Sequence, residues 1–349
     1  MTNHSSGPSS SEGSGLPPGI ATGVDAELHT ISVKPEGFTV LYNGEGDVVA
    51  DVVFVHGIQG AQKTWTKTLP SRQDSPINQV ARSGVRTRRG TAERIEDGRS
   101  VFWPRDLLPQ KIKNIRVLSY DYDSNCVGFI HGSNKNGIYQ HAEHMRLALQ
   151  RIRIDVRLPT EDATFFPSSN LNLKSGKGVR IIFVAHSLGG LIVKELLRQS
   201  SDHTNLLSIP PATYGVIFLG CPHRASSAAG WGIIASNIAR LGGMSPNTLL
   251  LRSLGMDTTN FLRDFMKNSP FKIHSFWEEK GMAGISGISG KVVQDGYSVT
   301  GDAAEGREGI NANHRDMCRF GSLDDEGFLK VVAVISRYVE SLKDLRNGT

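Results

Sequence analysis

Short apolar runs recur along the chain, and several are continuous rather than alternating with polar residues. HTISV, FTVLY, DVVFVHG, NIRVLSYDY, VRIIFVAHS, TYGVIFLG, FKIHSFW and KVVQDGYS have the length and β-branched content of strands. Unbroken apolar runs suit strands covered on both faces, as in a mainly parallel sheet. Stretches with helical spacing fall between them: HAEHMRLALQRIRIDV, LIVKELLRQ and, closing the chain, EGFLKVVAVISRYVESLKDL. Strand and helix alternate, so the pattern predicts a doubly wound α/β domain.

The pattern also sets boundaries. Residues 1–26 are Ser, Gly and Pro with few large apolar groups, too few to order themselves, and read as a disordered tail. The domain is expected over residues 27–346, with two interruptions. Residues 62–100 form a basic insertion that includes Arg82, Arg86, Arg88 and Arg89. Residues 224–268, containing WGIIASNIARLGGM and LLLRSLGM, form an apolar, glycine-punctuated, lid-like insertion.

With 349 residues, 38% of them hydrophobic, the chain can build a core without a disulfide or metal staple. Cys126, Cys221 and Cys318 are too few and too scattered for a disulfide framework, which favours a reducing compartment. No run approaches the roughly 20 apolar residues of a membrane span. No secretory signal or Arg-rich presequence pattern is present, so an intracellular location is expected, in the cytoplasm or peripheral on an organelle membrane. The arginine cluster lacks interleaved aromatics, which gives nucleic-acid binding no support. A solvated surface is the plain reading of that cluster, and a patch for an anionic head group or a phosphate-bearing acyl carrier the sharper one.

FVAHSLGGLIVKELL carries the chemistry. A strand runs directly into a helix, and Ala185-His186-Ser187-Leu188-Gly189 is the nucleophile-elbow pattern with Ala in its first small position. Such a turn lifts a serine Oγ above the sheet's carboxyl edge with a helix N-terminus behind it. A serine nucleophile needs oxyanion donors and a base. Val55-His56-Gly57-Ile58-Gln59-Gly60 follows a strand and offers the N–H of Ile58 beside that of Leu188. In this fold the order is nucleophile, acid, histidine. Of the eleven histidines only His274 and His314 follow His223. His274 lies within a strand and reads as buried and satisfied, which leaves His314 as the base. His186 reads as structural. For the acid, spacing does not choose among Glu278, Glu279 and Asp295. SGKG at 175–178 lacks the residues of a P-loop, and no dense His/Cys cluster suggests a metal.

VFVHGIQGAQKTW, VFWPRDLLP, IRVLSYDYDS, FVAHSLGGLIVKELL, GVIFLGCPHRASS, HSFWEE and NHRDMCRF occur in this order. Together they resemble the lipase-like α/β-hydrolases of the serine-active-site-containing (SERAC-type) group. That group is related to the inositol-deacylase lipases and to the hydrolase domain at the front of some fungal nucleotide-binding receptors. Two departures are Cys221, where the family has threonine, and Ala225, where it has glycine. The resemblance implies an α/β-hydrolase fold and favours Glu278 as the acid, through Ser275-Phe276-Trp277-Glu278. It makes Glu279 a solvated neighbour and Asp295 a turn residue.

The expectation is a serine esterase or lipase-like acyl hydrolase with Ser187, His314 and Glu278 as triad, Ile58 and Leu188 as oxyanion donors, and no cofactor. Its partner would be an acyl-ester small molecule or lipid, with peripheral membrane contact through the apolar insertion. An acyltransferase or thioesterase would use the same triad. The rival is a signalling or interaction module with hydrolysis secondary or absent. The chain ends at Thr349 with no receptor domain attached, which favours a stand-alone enzyme.

Overall fold

Seven strands of the computed structural model form one sheet in the order β1-β5-β2-β6-β7-β8-β9. They are β1 (Gly37–Tyr42), β2 (Ala50–Val55), β5 (Ile115–Asp121), β6 (Arg180–His186), β7 (Thr213–Leu219), β8 (Lys272–Glu278) and β9 (Gly306–Ile310). Only β1 runs antiparallel to its neighbour. A separate antiparallel pair joins β3 (Thr66–Thr68) to β4 (Ser100–Phe102). The structure describes residues 36–69, 99–123, 137–155, 178–201, 209–224, 227–243, 271–285, 288 and 290–348. The tail and HTISV lie outside these, as do the arginines at 82–89 and the segment containing LLLRSLGM.

The unbroken apolar runs are explained by burial on two sides. Along β2, Ala50, Val52 and Phe54 enter one core and Val53 and Val55 the other, because successive side chains point to opposite faces. The second core is closed by helix α2 (Gly137–Asp155) through Ala142, Met145 and Leu149, and by α3 (Leu188–Ser201) through Ile192, Val193 and Leu196. The first is closed by the C-terminal helix α5 (Glu326–Asn347), whose Phe328, Val331, Val332, Ile335, Val339 and Leu342 recur at helical spacing. Asp325 caps α5 by accepting from the N–H groups of Gly327 and Phe328. Two shorter helices complete the set used below: α1 (Gly60–Trp65), after the β2 turn, and α4 (Ala228–Leu241), within the lid-like insertion.

Two expectations need correction. KVVQDGYS is not a strand. Val292 and Val293 are both buried, on the same side and in succession, and the chain then turns through a 3-10 helix at Asp295–Tyr297. The last strand is instead GREGI, β9, which lacks a strand's apolar composition. Gly306 lies against the buried His274 ring, leaving no space for a side chain, and Gly309 lies beside the exposed Glu279 side chain. The edges of the basic insertion at 62–100 are ordered into α1, β3 and β4.

At the opposite end of β2 from the site, Asp51 is 1% exposed and accepts from Arg116 Nε at 2.8 Å and from Arg153 Nη1. Removing the carboxylate strands two buried guanidiniums, so Asp51→Ala is expected to cost about 3–5 kcal/mol. Urea unfolding measures this; a loss under about 1 kcal/mol contradicts a paired, desolvated network.

Candidate active site

The carboxyl ends of β2 and β6 lie side by side, with Val55 paired to Ala185. From β2 the strand order departs in both directions, β5 on one side and β6 on the other, which makes this the switch point where open α/β sheets bind ligands. Ser187 sits one residue past β6, at φ +52°, the only non-glycine among the described residues with positive φ. That conformation is disfavoured for a side chain by about 1–2 kcal/mol and is fixed by its surroundings. The Ser187 N–H donates to the Leu219 carbonyl at 3.0 Å, and its own carbonyl accepts from the Gly190 N–H at 3.1 Å. A Cβ at Gly189 would run into the carbonyl oxygens of Val55 and His56, and one at Gly190 into Cys221. A Cβ at Gly57 would lie 3.0 Å from that of Ser187. Glycine in these positions is what lets the two turns touch.

Leu188 opens α3, whose first N–H groups face away from any intrahelical partner. Ile58 and Leu188 are both buried and share one apolar cluster with Trp231, Ile234 and Leu241 of α4. The helix of the lid-like insertion therefore lies over the two proposed oxyanion positions. Gln59 ties it down, donating to the Leu241 carbonyl at 3.0 Å while accepting from Arg319 at 3.1 Å. Beside Ile58 opens a cavity of about 690 Å³, bounded by Gln59, Lys63, Asp121, Tyr122, Asp123 and Leu241, among others.

Glu278 ends β8 and His314 follows β9; both are buried, at 0% and 1% exposed. His314 Nδ1 lies 3.2 Å from Glu278 Oε1, which also accepts from the Val293 N–H at 2.8 Å. A carboxylate can only accept, so Nδ1 carries the hydrogen and Nε2 is left as the basic nitrogen. Nε2 makes no hydrogen bond, so a serine–imidazole contact is not closed; such contacts often tighten only with substrate. The other two carboxylates stand apart from the imidazole. Glu279 is exposed, and Asp295, 53% exposed, pairs with Lys291 at 2.6 Å.

The structural role expected of His186 is specific, and several further supporting residues were not legible in the sequence. His186 Nε2 donates to the His314 carbonyl at 2.9 Å, so the histidine beside the serine fixes the loop that bears the other histidine. Burial, and then the neighbouring His314, push its pKa well below the usual value, which keeps the ring neutral. Gly220, at φ +56°, leaves room for the His314 ring, which a Cβ there would approach to 3.0 Å. His274 is buried as expected but is not satisfied: neither ring nitrogen has a partner, and desolvation lowers its pKa to about 4.

Lys194 is the least expected of these residues. It is fully buried on α3, donates to the Pro222 carbonyl at 3.2 Å and lies 5.0 Å from the Phe218 ring centroid. One turn from Gly190, it shares the face that packs on Cys221, a signal that helical spacing does offer. Desolvation lowers its pKa to about 7.

The sheet order and the strand–turn–helix at Ser187 are those of the α/β-hydrolase fold. In sequence the chain is related to proteins named SERAC1. It is 28% identical to the zebrafish protein (Danio rerio) over 238 residues and 25% identical to the human protein over 247. These matches cover 66% and 68% of this chain but only 30% and 31% of the relatives, so the chain matches about a third of their length. No family model matches the sequence. Among solved structures, a Bacillus licheniformis lipase has TM-score 0.46 at 14% identity, covering 87% of this chain and 99% of its own. A lipase-esterase related protein from Clostridium acetobutylicum has TM-score 0.42 at 10% identity, covering 87% of this chain and 100% of its own. No described helix is long and apolar enough to cross a membrane.

Lys194 makes a prediction about pH. The unfolded lysine holds its proton up to about 10.5 while the folded one releases it near 7, so the unfolded state binds more protons between them. Stability should rise with pH from about 7 to 9 by an amount that Lys194→Met abolishes. Parallel stability–pH curves for the two proteins would contradict this.

Proposed function

We propose that the chain is a serine acyl hydrolase acting on an ester of a small molecule or lipid. The hydrogen bond from buried His314 Nδ1 to buried Glu278 carries the proposal, because it leaves Nε2 basic in a chain whose elbow serine is held at positive φ. Ser187 Oγ attacks the acyl carbonyl as its proton passes to His314 Nε2. Glu278 holds the ring in that tautomer and offsets the charge of the imidazolium that forms. The N–H groups of Ile58 and Leu188 receive the oxyanion. When the tetrahedral intermediate collapses, the acyl carbon–oxygen bond breaks and Nε2 returns the proton to the departing alkoxide. Water then repeats the sequence on the acyl-enzyme, with Nε2 taking its proton, and frees the acid.

The helix over Ile58 and Leu188 would have to yield to a bulky acyl chain, which suits a substrate presented from a lipid surface. Activity is then expected to rise when the ester is presented in micelles or liposomes.

Turnover of short p-nitrophenyl esters tests the roles. Ser187→Ala is expected to remove it with little change in melting temperature. Glu278→Gln should lower kcat by about 10²-fold or more, whereas Glu279→Gln and Asp295→Asn stay within about tenfold. A large loss at Asp295 with Glu278 nearly neutral would reassign the acid. Activity within a few-fold of wild type in Ser187→Ala would end the hydrolase proposal.

A further inference from the structure

His56, between β2 and Ile58, is fully buried, yet both its ring nitrogens are engaged. Nδ1 lies 2.6 Å from the Gly57 carbonyl oxygen, and Nε2 lies 2.5 Å from Asp121 Oδ1 at the end of β5. The carbonyl can only accept, so Nδ1 donates to it, while Nε2 faces both the Asp121 carboxylate and the Tyr122 N–H. The N–H of Tyr122 lies close to Nε2 but also 3.1 Å from Asp121 Oδ1, which can receive it. The Tyr122 ring stacks on His56 at 4.2 Å and 6°, and its hydroxyl donates to the His56 carbonyl at 2.9 Å. The imidazole is thus fixed in plane, in rotation and at both ends.

What it holds is a single peptide unit. The carbonyl of Gly57 and the N–H of Ile58 belong to the same planar, trans amide and point in opposite directions. Pinning the Gly57 oxygen therefore sets the direction of the Ile58 N–H. A bond donated to the carbonyl also polarises the amide and strengthens that N–H as a donor. We infer that Asp121, acting through His56, is a positioning residue that aims the Ile58 N–H at the oxyanion. This rests on the proposed role of Ile58. Asp121 also borders the 690 Å³ cavity, so the brace lies against the space beside the oxyanion turn.

Ester kinetics of the full chain, combined with inhibition by an alkylboronic acid, test the inference. The boronate adduct on a serine places a tetrahedral oxyanion where the transition state has one, and its Ki does not depend on how much of the sample is folded. Asp121→Ala is expected to lower kcat by about 10²-fold, as for loss of an oxyanion donor, and to raise the boronate Ki in parallel. KM should stay within about threefold. Asp121→Asn keeps an acceptor for Nε2 but loses the charge, and should raise Ki by about fivefold. If the alanine variant does not fold, the asparagine variant decides. An unchanged Ki in a folded variant, with the wild type active, would overturn the positioning role alone. A wild type that neither turns over esters nor binds the boronate would overturn the hydrolase proposal and this inference with it.

Discussion

Between the carboxyl ends of β2 and β6 there is room for backbone and little else. Gly189 lies on the carbonyls of Val55 and His56 and Gly57 on Ser187, so two turns from adjacent strands are in direct contact, while Gly190 lies on Cys221 beyond β7. Everything proposed for the site depends on this approach. It forces Ser187 into a left-handed conformation, starts α3 immediately behind it, and brings Ile58 and Leu188 into one cluster. The strain at one residue is small against the apolar burial on the two faces of β6, where Ile181, Ile182, Phe183, Val184 and Ala185 are all inaccessible to solvent.

A second constraint is electrostatic. Glu278 is fully buried, and a buried carboxylate is costly unless hydrogen-bonded. Both its partners, the His314 ring and the backbone of Val293 in the segment that replaces the expected final strand, meet Oε1, and Oε2 makes no hydrogen bond. That segment is irregular because its N–H serves the carboxylate instead of a neighbouring strand. The same logic runs through His186, whose neutral ring holds the His314 backbone, and through His56, held between Gly57 and Asp121. Around one serine, three histidines, two from turns and one ending β6, are fixed by different partners.

This explains which parts were legible in the sequence. Strands buried on both faces leave continuous apolar runs, so β2, β5, β6, β7 and β8 could be read directly. Ser187 stood out because an elbow demands small residues between a strand and a helix. His314 emerged from chain order. The candidate acid did not: Glu278, Glu279 and Asp295 differ in burial and in neighbours, and neither property is written in spacing. Only family resemblance separated them. β9 was hidden because closely packed neighbours select glycine, the residue that sequence patterns assign to loops. His56 and Asp121 were passed over because what distinguishes each is a contact made across the fold, whereas Lys194 was passed over although its spacing from Gly190 was readable.

The central claim is that Ser187 is a nucleophile activated by His314. Labelling with a fluorophosphonate probe, followed by mass spectrometry of the modified peptide, tests it most directly. The adduct should map to Ser187 in the wild type and be absent from well-folded Ser187→Ala. It should form much more slowly in His314→Ala. A folded wild type that takes up no label, or one labelled equally well after loss of Ser187, would contradict the account.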